Sequence, residues 1–280
     1  MTDVSSTETA QIAIAPMELS HIPQAHGMSQ AVSWPHRPED WALVLGVSEG
    51  VVALQGEKVV GTAILSLLGD VGTLNMIIVD EAMRGQGLGR RLMQALLDRA
   101  ATMELRLVAT ADGLPLYQKL GFKAQGEVMQ YQGVAVAQTP EQPVHEASAE
   151  ELAQLIAADR VATGMDRAKL LTDIAAQGEV LVTAGGFAML RAFGRGYVIG
   201  PILAQNDIAA RALLSEAACR TRGRFLRVDF APERALQDHA AALGLAHVGG
   251  GVAMLREGAV AARPANPDLK TYALVSQALG

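Results

Sequence analysis

The chain has 280 residues, half of them hydrophobic and 19% charged, which allows two domains of ordinary size with full apolar cores. A formal net charge of −6 argues against a nucleic-acid surface, and no apolar run is long enough to span a bilayer. Cys219, the only cysteine, excludes an internal disulfide and suits a cytoplasmic protein.

Residues 1–10 are polar, lack a basic stretch followed by an apolar one, and read as a loose disordered tail rather than a signal peptide. Residues 11–15 alternate as a strand, 21–32 are weakly helical, and Pro38 opens a second helix through Trp41 and Leu45. Residues 51–54 and 59–67 flank the turn Gln55-Gly56-Glu57-Lys58 as a hairpin, and 73–79 follow as a strand. Leu88, Leu92, Ala95 and Leu96 recur at helical spacing within 88–100. A strand over 105–109, a short helix over 114–120 and a pair of strands over 123–136 complete a unit spanning 11–137.

Residues 138–146, rich in Gln, Pro and Glu, read as a linker. The order then recurs loosely in 147–280, with helices over 149–163 and 167–176, strands over 179–183, 186–193 and 197–204, a helix over 207–220, a strand over 225–230 and a helix over 233–243. Two tandem copies of one α/β unit with a mixed sheet is the economical reading.

The chemistry concentrates where a strand ending at Val79 runs through Arg84-Gly85-Gln86-Gly87-Leu88-Gly89-Arg90 into an amphipathic helix. Alternate glycines let backbone approach a ligand, and the first N–H groups of a helix lack internal partners and favour anions. A P-loop would need Lys-Ser/Thr after the last glycine, where Arg90-Arg91 stand, and a dinucleotide fold would need a different glycine spacing. A nucleotide-dependent kinase or dehydrogenase is therefore disfavoured. A glycine-rich turn with no ligand remains the plain alternative.

The stretch resembles the R-x-x-G-x-G motif of the GNAT superfamily of N-acetyltransferases. One strand later, Leu114-Pro115-Leu116-Tyr117-Gln118-Lys119-Leu120-Gly121-Phe122 resembles the second hallmark of that family. The resemblance covers residues 11–136 and implies an acetyl-CoA-dependent enzyme in which an amine attacks the thioester directly. It implies that the backbone of Ile77, Ile78 and Val79 holds the pantetheine arm in a gap between the fourth and fifth strands. The N–H groups from Arg84 to Arg90, those of Gly85, Gln86, Gly87, Leu88 and Gly89 between them, would hold the pyrophosphate. Tyr117 aligns with the acid that protonates the departing thiolate; a buried structural tyrosine is its other reading. No metal is implied. Thr110 stands where the family often has a cofactor-contacting Asn, and Asn75 stands where many members carry a basic carboxylate.

Substrate-binding or basic candidates therefore come from Trp34, His36, Glu39 and Asp40, although Glu39 and Asp40 equally suit the first turn of a helix after Pro38. The second half aligns Ala240 with Tyr117 and has no arginine–glycine loop, so the resemblance implies a divergent copy that packs on the first and walls the acceptor pocket. Asp229 and His239 are its polar residues of interest, with capping or surface duty as their plain reading. The acceptor is expected to be a small-molecule or peptide amine, and the protein a monomer or homodimer. A non-catalytic acyl-CoA-binding sensor or scaffold on the same fold is the rival reading.

Overall fold

A computed structural model describes residues 11–100, 102–232, 234, 236–259 and 268–280. The tail expected over 1–10 lies outside the described residues. In the first half, β1 (Ile12–Pro16) leads to helices α1 (Ile22–Ala31) and α2 (Pro38–Leu45), then β2 (Ser48–Gln55), β3 (Lys58–Leu68) and β4 (Val71–Val79). Helix α3 (Leu88–Leu97), β5 (Glu104–Ala109), α4 (Leu114–Lys119) and β6 (Lys123–Val134) complete it. The second half runs β7 (Val144–Glu146), α5 (Ala149–Thr163), α6 (Ala168–Ala175), β8 (Glu179–Thr183), β9 (Gly186–Phe193) and β10 (Gly196–Ala204). It continues through α7 (Asp207–Arg220), β11 (Phe225–Phe230), α8 (Gln237–Ala242), β12 (Ala246–Arg256) and β13 (Lys270–Ala273).

Local chemistry explains the boundaries. Pro38 occupies the first turn of α2, and the Asp40 carboxylate accepts from the Arg37 backbone N–H at 2.8 Å to cap it. Helix α3 buries Leu88, Leu92, Met93, Leu96 and Leu97 on one face and leaves Arg90 and Gln94 outside. Helix α5 starts at Ser148, whose hydroxyl accepts from the Glu151 N–H while Glu151 accepts from the Ser148 N–H. Val144–Glu146, inside the stretch read as a linker, forms β7 against β8.

Among the described residues the strands join in one sheet, in the order β1-β2-β3-β4-β5-β12-β6-β11-β13-β10-β9-β8-β7. The pair of strands expected over 123–136 is not formed. Residues 123–134 are one long strand, β6, paired antiparallel with β11 on one edge and β12 on the other. β12, from the second half, lies between β6 and β5 of the first. Each half thus closes its sheet with a strand from the other. Gly133, which looks like a turn signal, instead admits a neighbouring backbone: a Cβ there would stand 2.1 Å from the Gly244 carbonyl oxygen.

Both halves contain a parallel pair that opens. Val71, Gly72 and Thr73 of β4 lie opposite Glu104, Leu105 and Arg106 of β5, and the strands then part. Tyr197, Val198 and Ile199 of β10 lie opposite Leu226, Arg227 and Val228 of β11 and part likewise. The second gap is filled by β13, which pairs with Ile202, Leu203 and Ala204 and reaches Phe230. Past Thr73, no strand among the described residues fills the first.

The halves also share a core. Trp41, Val44, Ile64 and Met76 from the first pack in one cluster with Leu170, Leu171, Ile174, Val275 and Leu279 from the second. Interleaved strands and a common core make the two units one folding body rather than beads on a linker.

Candidate active site between the two halves

The glycine loop begins at Asp80, whose carboxylate accepts from the Ala82 N–H at 3.0 Å and the Lys58 ammonium at 2.8 Å. A short 3-10 turn follows at Glu81–Met83, and Gly87 then caps α3. Gly85 and Gly87 both have φ of +76°, a backbone region that favours glycine. A Cβ built on either meets no atom within 4 Å, so the loop presents backbone to open space. Arg84 and Arg90 are exposed and form no ion pair among the described residues. Open backbone, the positive end of α3 and two free guanidinium groups fit a pyrophosphate.

The gap between β4 and β5 opens on a cavity of about 330 Å³ lined by Asn75, Met76 and Ile77 on one side and Val108 and Thr110 on the other. Its first-half wall contains Asn75, Met76 and Ile77 from β4, Thr110 after β5, and Tyr117 from α4. Met76 has φ of +49° where the pairing of β3 with β4 shifts register, so a bulge bends β4 at the cavity. The Tyr117 ring is almost wholly buried, edge-on to Phe122 at 6.3 Å, and burial pushes its hydroxyl up to about 12. The phenol therefore keeps its proton at neutral pH. Gly113 lies directly beneath: a Cβ there would sit 2.7 Å from Tyr117 Cε2 and 3.2 Å from its Oη.

Trp34 and His36 also line the cavity, where His36 packs edge-on to Phe193 of β9 at 5.4 Å. Burial, reinforced by the Arg227 cation, lowers the His36 imidazole to about 4, so it is neutral near pH 7. Glu39 and Asp40 do not join the cavity lining. Glu39 is exposed on the first turn of α2. Asp40 is buried and engaged by Arg37 at 2.9 and 3.1 Å, by Arg191 at 3.4 Å and by the Gly194 N–H at 3.2 Å. Burial alone would raise its pKa, but the Arg37 and Gly194 hydrogen bonds and the Arg191 charge outweigh that and hold the carboxyl below its usual range. Asp40 thus ties α2 to the β9–β10 turn.

The second half supplies what the sequence did not single out for the site: Phe193, Arg195, Arg227 and Gln277. No motif marks them, because they belong to the divergent copy and reach the cavity only through its packing on the first. Asp229 is fully buried and holds Arg227 in a two-point ion pair, with Gln277 donating to it at 3.0 Å. His239 lies elsewhere, its ring bonded to the Ser215 hydroxyl at 2.9 Å between α7 and α8. Ala240, opposite Tyr117 in the alignment of the halves, is buried in the apolar core around α7. Cys219 is a free thiol whose Sγ meets the Gln138 carbonyl at 3.3 Å, away from the cavity.

Two family models, each described as an acetyltransferase (GNAT) domain, match residues 47–124 and 155–266. The chain carries two GNAT acetyltransferase domains in tandem. It is similar to the Uncharacterized N-acetyltransferase YitH of Bacillus subtilis strain 168, 29% identical over 180 residues, which cover 60% of this chain and 64% of that protein. A Pyrococcus horikoshii protein assigned to the acetyltransferases has the same fold over 96% of both chains, at 20% identity and a TM-score of 0.79. A GCN5-related N-acetyltransferase from Sphaerobacter thermophilus aligns over 90% of this chain and 96% of its own at 16% identity and a TM-score of 0.60. Of the two GNAT domains of this chain, one therefore has an open gap and the other a strand-filled one. No helix among the described residues is long and apolar enough to cross a membrane.

Proposed function

We propose that the chain transfers an acetyl group from acetyl-CoA to the primary amine of a small molecule bound in the cavity between the halves. The observation that carries this reading is the alignment of three features. The glycine loop is open, the β4 edge past Thr73 has no strand partner among the described residues, and the protonated Tyr117 stands at the cavity wall. The cleft in the other half is occupied by β13, so one cofactor per chain is expected.

The backbone of Ile77, Ile78 and Val79 would hold the pantetheine arm, and the N–H groups from Arg84 to Arg90 the pyrophosphate, with the two arginine side chains adding charge. Bound acetyl-CoA supplies an acetyl thioester that the acceptor amine attacks directly. Tyr117 keeps a proton to give the departing sulfur, because its hydroxyl stays un-ionised far above neutral pH. Among the described residues the cavity lining contains no aspartate or glutamate, and the lowered His36 is a weak base. The amine must therefore reach the site neutral, or lose its proton there under the influence of the surrounding arginines. A cavity of 330 Å³ lies at the small end of ligand pockets, of about 300–1,000 Å³, and favours a compact acceptor over a protein lysine.

A single chain supplies both walls, so a monomer suffices, and the lone free thiol suits the cytoplasm. The lack of a carboxylate base also motivates the rival reading of an acyl-CoA sensor. Release of free coenzyme A on addition of amines, lost in Tyr117→Phe, supports the enzyme; tight acetyl-CoA binding without transfer supports the sensor. Cofactor binding itself is tested by thermal unfolding with acetyl-CoA. At about 100 times its Kd the ligand should add about 2.7 kcal/mol to wild type and nothing to Gly87→Glu, whose carboxylate would stand in the loop. No shift in wild type at millimolar acetyl-CoA would overturn the proposal.

A further inference from the structure

The cavity wall provided by the second half has a charge pattern that the cofactor reading does not use. Two buried carboxylates near the cavity are engaged by other side chains: Asp40 by Arg37 and Arg191, and Asp229 by Arg227 and the Gln277 amide. Arg227 spends Nε and Nη2 on Asp229, while its Nη1 has no partner among the described residues and its side chain lines the cavity. Its guanidinium is braced over the Phe193 ring, 5.3 Å from the centroid. Arg195 stands at the rim, over the Phe225 ring at 5.3 Å, with no ion pair or hydrogen bond among the described residues. Among the described residues the lining holds both arginines and no acidic residue, while the amides of Gln130, Gln132 and Gln277 supply neutral hydrogen-bonding groups beside them.

With Arg227 balanced by Asp229, Arg195 is the uncompensated charge of this wall and the Arg227 Nη1 a spare donor, and together they pair with an anion. Among the described lining residues the wall offers polyamines and other acceptors whose only charge is positive no carboxylate to pair with. An acceptor with a carboxylate or phosphate a few bonds from its amine satisfies both ends. Its acid meets Arg195 and Arg227, and its amine reaches the Tyr117 side of the cavity. We infer that the second domain has become an acceptor-recognition wall, and that the amine acetylated by this chain carries an anionic group held by Arg195 and Arg227.

The inference rests on the acetyltransferase reading, and its test separates the two. Trp34 lines the cavity, whereas Trp41, the other tryptophan, is fully buried, so changes in fluorescence report occupancy. The full chain, saturated with coenzyme A so that no transfer occurs, is titrated with O-phosphoethanolamine against ethanolamine, and with β-alanine against propylamine. At least one anionic amine should bind at about one-tenth or less of the concentration its neutral-tailed partner needs, as one charge-assisted hydrogen bond predicts. The two pairs tell phosphate from carboxylate. Arg195→Gln, an exposed substitution, should abolish most of that preference while keeping the acetyl-CoA thermal shift of wild type. Arg227→Lys, which keeps a charge beside Asp229, should weaken anion binding without unfolding the chain. Equal or tighter binding of the uncharged-tail amines, or no response to either anionic amine at tens of millimolar, overturns the inference. Loss of the acetyl-CoA shift in wild type would instead overturn the acetyltransferase proposal.

Discussion

Gly113→Ala tests whether Tyr117 acts through its position. The new methyl carbon would lie 2.7 Å from Tyr117 Cε2 and 3.2 Å from Cζ and Oη, where ordinary contact begins near 3.4 Å. Gly113 has φ of −81°, which alanine adopts without strain, so the backbone can stay and the ring must move. The closest contact calls for a displacement of about 0.7 Å, and an error of about 1 Å in a reacting group can cost about 10²-fold in rate. We expect kcat to fall about 10- to 100-fold, equivalent to about 1.4–2.7 kcal/mol in the barrier. Apparent affinity for acetyl-CoA should be nearly unchanged, because the glycine loop is not touched. Stability should fall by about 1–3 kcal/mol, the usual cost of overpacking. Steady-state kinetics on Gly113→Ala, Tyr117→Phe and the double variant provide the check. If the glycine acts only through the phenol, Gly113→Ala costs little more once the hydroxyl is gone. Full kcat in Gly113→Ala, or additive losses in the double variant, would refute the positioning argument.

Two further outcomes follow from buried contacts. His36 stays neutral in the folded chain down to about pH 4, whereas its unfolded imidazole takes a proton below about 6.5; the folded state therefore loses stability as pH falls through that window, by about 3 kcal/mol at most. Chemical denaturation from pH 7 to pH 4 should show a shallower loss for His36→Phe than for wild type, and parallel curves would remove His36 as the cause. A Cβ on Gly200 would stand 1.9 Å from the Leu274 carbonyl oxygen, so Gly200→Ala should push the segment carrying β13 off β10. Faster hydrogen exchange or proteolysis within 270–280 is the expected signature, and unchanged protection would show that β10 can yield instead.

The motifs of the first half were legible because they are local. Arg84, Gly85 and Gly87 sit within one turn, and their spacing alone dictates a backbone that can approach an anion; Tyr117 sits in a short helix ending in Leu120-Gly121-Phe122 for the same reason. Helix α3 follows from a periodicity that a short window contains. The exchange of β6 and β12 was not legible, since strands of similar character pair equally well within a half or across halves, and glycines that admit a neighbouring backbone look like turns. Nor was the fate of Asp40, a plausible base by residue type that the β9–β10 turn converts into an ion-paired anchor. The acceptor wall of Arg195 and Arg227 lies more than 75 residues beyond Tyr117 in the chain. The sequence alone marks the glycine loop where we propose that the cofactor sits, because a few consecutive residues suffice to make such a loop. Which charges face its reaction partner was decided only when the second half folded over the first, because electrostatic surroundings depend on distance in space and not along the chain.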